Sequence, residues 1–292
     1  MTAAALSVPR LASPTWQRFR DAFRRHPTAI IGGIVLALMV LVALLAPWLG
    51  TVDPQALSPA QRLKPPSSEH WFGTDMLGRD VYSRVVYGAR ISLTVGIAVA
   101  ALSVAIGLAI GLVTGFVRWL DAIVMRIMDG LMSIPSVLLA IALMALTKAS
   151  VGNVIVAITV AEVPRVVRLV RGLVLSLREQ PFVEAAIAAG TTLPLILTRH
   201  ILSNTVAPLL VQGTYICASA MIVEAILSFI GAGTPPNIPS WGNIMAEARS
   251  LFQIAGYLIF FPGLFLSLTV LAVNLLGDGM RDALDPRLAR RM

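Results

Sequence analysis

The sequence predicts an all-α membrane protein: six transmembrane helices, with a short cytoplasmic helix between the fourth and fifth. Three observations lead there. Hydrophobic residues fill 57% of the 292 positions and charged residues only 13%, about half the charged share of a soluble domain. Uncharged runs extend over 28–52, 91–117, 130–147, 201–223 and 250–277, nearly all long enough to cross a hydrocarbon core at about 1.5 Å per residue. Basic residues also alternate in density from loop to loop. With six crossings and an inside N-terminus, 16 of the 23 Lys and Arg fall on the cytoplasmic side, as the positive-inside rule requires.

The first run is too long for the core of a signal peptide and follows a leader carrying Arg10, Arg18, Arg20, Arg24 and Arg25, so it reads as an uncleaved helix entering from the cytoplasm. Residues 1–27 are then a cytoplasmic tail, 28–280 the transmembrane domain and 281–292 a second cytoplasmic tail. An external segment, 51–90, opens with prolines and serines that mark an irregular connection. It continues as HWFGTDMLGRDVYSRVVYGARISL, where Asp75 with Arg79 and Asp80 with Arg84 stand four apart. That spacing predicts a helical surface elbow leading into the second span.

Within the second span Gly107, Gly111 and Gly115 recur every four residues, which lets another helix backbone approach one face. The third span places Asp129 three residues after Arg126, and Pro135 is expected to kink it. Asp129 reads either as a locally paired charge or as a functional acid. The fourth span starts from a weaker apolar stretch, 149–161, and ends in Arg165, Arg168 and Arg171, a ladder suited to snorkelling to the inner headgroups. Glu162, a turn deeper, is positioned to pair with Arg165. The fifth span carries Glu224, whose charge near mid-bilayer requires protonation, pairing or a wet cavity.

Between spans four and five, in the loop 178–202, lies PFVEAAIAAGTTLPLILTRHIL. Pro181 suits a first helical position and Gly190 a left-handed stop, so a helix of about two turns is expected between them. Ala185, Ala186, Ala188 and Ala189 keep it thin enough to sit in a groove on another subunit. The same pattern also fits an ordinary amphipathic linker.

The +8 charge follows this topology and implies contact with anionic lipid rather than nucleic acid. No GxxxxGK(S/T) loop is present, and Lys64 and Lys148, the only lysines, lack a glycine-rich setting. His26, His70 and His200 fall in separate loops with no metal-ligand spacing, and no GxSxG elbow marks a nucleophile. The lone Cys217 excludes an internal disulfide and reads as apolar filler. No catalytic residue, metal site or cofactor is therefore assigned to the chain, and any motor must be external.

Over nearly its whole length the chain resembles the inner-membrane permeases of bacterial ABC importers in the dipeptide and oligopeptide branch. Glu184, Ala185, Ala186 and Gly190 match that family's EAA-then-glycine loop. FGTDMLGRDVYSRVVYGARISL at 72–93, EAILSFIGAG at 224–233, SWGNIMAEAR at 240–249 and NLLGDGMRDALDPRL at 274–288 resemble the peptide branch. The resemblance implies a type I importer permease fold in the bacterial cytoplasmic membrane. It also implies a homologous second permease, two cytoplasmic ATPase domains that bind ATP and magnesium, and an extracytoplasmic solute-binding protein. In that setting Glu184, Ala185, Ala186 and Gly190 would couple to the ATPase. Gly73, Asp75, Gly78, Arg79, Asp80 and Arg84 would form an external lid over the pore and a footing for the binding protein.

Three departures from the family pattern stand out, one being that Glu162 or Val163 of the fourth span stands roughly where relatives often carry an aromatic. HILSN puts Ser203 where the family usually has proline, implying a straighter entry to the fifth span, and FIGAG replaces FLGLG. Composition alone also admits an ion-gradient-driven secondary transporter, with Asp129, Glu162 and Glu224 as its ion sites.

Overall fold

The computed structural model describes residues 27–284, so the two tails and the end of the 274–288 motif lie largely outside the described residues. Among these residues the regular structure is helical, apart from an isolated bridge between Thr74 and Asp80. Helix α1, Pro27–Leu44, runs along the outside of the bundle with Ile31, Ile34, Leu38, Leu41 and Leu44 exposed. It crosses the last helix through small residues: a Cβ on Gly32 would stand 2.7 Å from the Ala272 carbonyl, and one on Gly279 2.1 Å from Ala29 Cβ.

Residues 45–80 form an irregular outer cap, and α2 then extends over Val81–Phe116, about 54 Å at 1.5 Å per residue. The predicted helical elbow over 72–80 is not formed. The chain there folds into tight turns, with Gly73 and Gly78 at φ of 76° and 73°, and the helix begins only after Asp80. That residue caps it, accepting from the Ser83 amide at 2.8 Å and the Ser83 hydroxyl at 2.7 Å.

The expected third span is two helices, α3 (Arg118–Met132) and α4 (Ser136–Ala145), bent by 88°. Pro135 lacks an amide hydrogen and its ring blocks the preceding turn, while Ser133 turns its hydroxyl back onto the Gly130 carbonyl at 2.7 Å. A proline kink thus becomes a corner. Helix α5, Val151–Leu177, starts on Ser150, which accepts from the Asn153 amide. Its Val166, Val170 and Val174 fill the notches of Gly107, Gly111 and Gly115 on α2, where added Cβ atoms would stand 2.5, 2.6 and 2.5 Å from the valine Cβ atoms.

Helix α6 is the short Pro181–Ala188. Helix α7 spans Leu193–Phe229 and includes a π-helical turn at Ile196–Ile201, so its entry is not a regular α-helix, while Ser203 lies just beyond that turn in the α-helical stretch from Leu202. Helix α8, Trp241–Ala248, leads to α9, Tyr257–Leu284. Among the described residues two large apolar cores result, with a small third around Met128, Val163 and Val167. One, around Val99, Ile158, Val166, Leu209 and Ile216, joins α2, α4, α5 and α7. The other, around Val85, Met221, Trp241, Leu258 and Val273, joins α2, α7, α8 and α9. Helices α2 and α7 contribute to both and form the central pair.

Among the described residues four helices, α1, α2, α7 and α9, are long and apolar enough to cross a membrane, and α3 with α4 makes a fifth candidate if the bent pair is one span.

Candidate functional site

The chemistry-bearing residues separate into three regions: the α6 turn, an outer charge cluster, and a set of acids in and beside the bundle.

Helix α6 has the local structure its sequence predicts. Pro181 occupies the first turn, and Glu184 lies there too, where the positive end of the helix dipole favours an acid. The end is a Schellman motif: Gly190 N–H donates to the Ile187 carbonyl at 2.9 Å and Thr191 N–H to the Ala186 carbonyl at 3.0 Å. Gly190 has φ +78° and open space where a Cβ would stand, so backbone conformation, not crowding, calls for glycine. Only Val183 is buried, joining the core of α2, α5 and α7. Glu184 and Ala185 are exposed and Ala186 half-buried. Phe182 and Ile187 are also exposed, Phe182 with its ring 6.4 Å from that of His200, leaving the helix as a knob with one buried side chain.

At the other end of α2, Asp75, Arg79 and Arg84 are buried rather than displayed on a surface helix. Arg79 Nε donates to Asp75 Oδ2 at 2.6 Å, so the predicted pair exists, but across a turn. Asp80 and Arg84 do not pair. Arg84 donates to Asp75 Oδ2 at 2.6 Å and to both oxygens of Glu247 on α8, at 2.6 and 3.0 Å. Arg79 Nη2 also bonds Glu247. Asp75 Oδ1 accepts the amides of Leu77 and Arg79, at 2.8 and 3.0 Å. Two acids and two guanidinium groups therefore neutralise one another out of water, with hydrogen bonds filling the remaining positions.

Glycines allow the chain to close around this quartet. A Cβ on Gly78 would collide with the Ser58 carbonyl at 1.8 Å, and one on Gly73 with the Lys64 carbonyl at 2.6 Å. Tyr257, opening α9, donates to the carbonyls of Lys64 and Thr74 at 3.1 and 3.0 Å. Beside the quartet lies a depression of ≈ 660 Å³ lined by Pro59, Arg62, Met76, Leu77, Arg79 and Glu247, among others. Sequence spacing could not identify Glu247 as the fourth member, because it lies 163 residues from Arg84. Its one signal was the single charged residue of α8, in the last turn of that helix.

The acids in and beside the bundle have separate environments. Asp129 bonds Arg168 of α5 at 2.6 Å, in place of the neighbouring Arg126 that sequence spacing suggested. Asp121 takes two nitrogens of Arg171. The basic ladder is thus engaged largely by acids of α3 rather than only by headgroups. Glu162 does pair with Arg165, at 3.0 Å, and its side chain is 1% exposed, with Oε1 unpartnered. Glu224 is 0% exposed and lies near the end of α7 rather than at its middle. Its Oε1 accepts from Ser228 at 2.8 Å and Thr234 at 3.5 Å. Asn243 of α8 fixes the same loop through Thr234, Pro235 and Ile238. Among the described residues no cluster of three or more His, Cys, Asp or Glu could hold a metal.

Comparison with known proteins gives a consistent result. Residues 103–290 match the family described as binding-protein-dependent transport system inner membrane component. Residues 14–66 match the N-terminal transmembrane domain of oligopeptide transport permease C. The chain is 54% identical over 290 residues, 99% of its length and 98% of the relative's, to a probable peptide ABC transporter permease protein, y4tQ, of Sinorhizobium fredii. It is 40% identical over 274 residues, 94% of its length and 90% of the relative's, to the dipeptide transport system permease protein DppC of Alkalihalophilus pseudofirmus. With the glutathione transport system permease protein GsiD of Escherichia coli it shares 41% over 292 residues, 98% and 96% of the two chains. These relatives set aside the ion-gradient alternative.

Proposed function

This chain belongs to the family of binding-protein-dependent transport system inner membrane components, and on that premise we infer that it is the multi-pass permease subunit of an ATP-driven peptide importer. It is a transport subunit, not an enzyme. Its peptide cargo is inferred from relatives named for peptide, dipeptide and glutathione transport.

The finer assembly is our proposal. The permease crosses the inner membrane six times, α5 being the span whose charges distinguish it from the four long apolar helices, and both termini are cytoplasmic. A homologous second permease completes the path. Two cytoplasmic ATPase domains bind ATP and magnesium, and an extracytoplasmic binding protein delivers cargo. Helix α6 is the coupling element: Glu184 supplies a polar contact, Ala185 and Ala186 permit close approach, and Gly190 turns the chain back into α7. One observation carries this role, the exposure of a helix that buries a single side chain, Val183, in its own subunit. Movement of a partner gripping α6 passes into α5 and α7, biasing inward-open against outward-open arrangements.

The outer quartet sets the shape of the surface that receives the binding protein, with the depression around Arg62 and Glu247 as its footing. Gly73, Gly78 and Asp80 hold the cap over the path. Glu224 supports the same region from beneath through its bonds to Ser228 and Thr234. Asp129 and Glu162 hold the basic ladder of α5.

Gly190→Val tests the coupling role, because a β-branched residue opposes positive φ. The expected outcome is loss of cargo uptake together with reduced co-purification of the ATPase, while the permease still inserts. Glu184→Lys should lower both measures. Normal uptake and normal ATPase retention in both variants would exclude α6 as the coupling element.

A further inference from the structure

Towards its Leu177 end helix α5 leaves one face largely uncovered. Arg165, Arg168, Gly172 and Ser176 are exposed along it, a Cβ on Gly172 would meet nothing within 4 Å, and of the four Arg168 bonds Asp129 of α3. The opposite face carries the valines locked into α2. An exposed stripe of glycine, serine and arginine is poorly suited to lipid, which favours large apolar side chains.

Arg165 is the informative member. It is the fifteenth of the 27 residues of α5, close to the middle whichever way the helix runs. Its Nη1 reaches back one turn to Glu162 at 3.0 Å, so the guanidinium points toward mid-helix and away from the Leu177 end. A snorkelling arginine would do the reverse. Arg168 and Arg171 are each matched by an acid exposed to a comparable degree, with side-chain exposures of 50% against 60% for Asp129 and 30% against 20% for Asp121. Arg165 is 52% exposed while its acid is 1% exposed. The acid is sealed beneath, so the face outside presents the cation. Among the described residues, Nε and Nη2 of Arg165 have no protein acceptor.

We propose that this face of α5 lines the solute path and that Arg165 receives the carboxylate of the passing peptide. The proposal rests on the peptide-importer reading above. A half-exposed guanidinium midway along α5 requires water or a polar partner. A peptide's carboxylate accepts the two donors that remain, and Glu162 keeps the group in position while tempering its charge, so that the anion is held weakly enough to leave. Arg165 acts as a recognition residue and needs no conformational change of its own.

The test uses the complete importer, with its second permease, ATPase and binding protein, in ATP-loaded proteoliposomes. Trialanine and its C-terminal amide are the two cargoes, and the ratio of their uptake rates is the readout, because the binding protein's own preference is common to all variants. R165Q should lower the acid-to-amide ratio about tenfold, the value of one charge-assisted hydrogen bond, and R165K should retain part of it. An unchanged ratio, with both cargoes slowed alike, overturns the proposal in favour of a purely structural pair. Restoration of the acid rate in E162Q/R165Q overturns it in the same sense. Loss of the second permease from purified R165Q complexes would instead identify this face as a subunit interface and also overturn it. If the parent complex imports neither peptide, the peptide reading itself fails, and the assignment of Arg165 fails with it.

Discussion

Arg84 shows how much of the outer surface depends on single side chains. Its side chain is 2% exposed and bonds Asp75, at 7%, and Glu247, at 31%. Replacing it by Met would leave two acids facing each other with only Arg79 between them. The expected cost is about 3–5 kcal/mol, read as a lower thermal midpoint of the purified protein in detergent. Arg62→Glu, at an exposed residue of the depression, should leave that midpoint unchanged and weaken stimulation of ATP hydrolysis by the binding protein. Only part of this chemistry was legible in the sequence. Glu162 with Arg165 could be read because partners one turn apart on a regular helix must meet. Asp75 with Arg79 was read correctly as a pair but on the wrong backbone, since two positive-φ glycines convert the same spacing into a turn. Arg84 with Glu247 and Asp129 with Arg168 are tertiary contacts, and the nearer sequence neighbours, Asp80 and Arg126, drew attention away from them.

Among the elements, the α2–α5 contact is the most restrictive. Three glycines of one helix meet three valines of the other at matching four-residue intervals, so the two surfaces advance in step. Gly111→Leu forces that contact apart and should cost at least about 1–3 kcal/mol. Gly130→Ala on α3, where an added Cβ meets nothing within 4 Å, should leave stability unchanged or raise it by about 0.5–1 kcal/mol. Thermal midpoints of the two variants in the same detergent test the contrast. The glycine repeat announced this packing because close approach needs a small residue every turn. The corner between α3 and α4 was underestimated as a kink. Pro135 can break a helix by any angle, and the 88° found depends on charges of α3 that seek arginines on α5, information absent from the local sequence. Helix α6 was readable down to its capping residue because its start and stop are decided by Pro181 and Gly190 themselves.

For the molecule as a whole, the apolar runs located the long helices, while α5 was the weakest of the expected spans because its charges mask its length. A member of the binding-protein-dependent transport family implies partners. Reconstituted alone it should move no peptide, and uptake should appear when the second permease, ATPase and binding protein are added with ATP, and should persist when the proton gradient is collapsed. The order of synthesis sets a further constraint. Arg79 and Arg84 are made long before Glu247, and the carbonyls of Lys64 and Thr74 long before Tyr257. A nascent chain that has threaded its first four helices still exposes two guanidinium groups awaiting one carboxylate. The rim around Glu247 can therefore set only when translation is nearly complete, so a chain stopped short of α8 keeps that rim open.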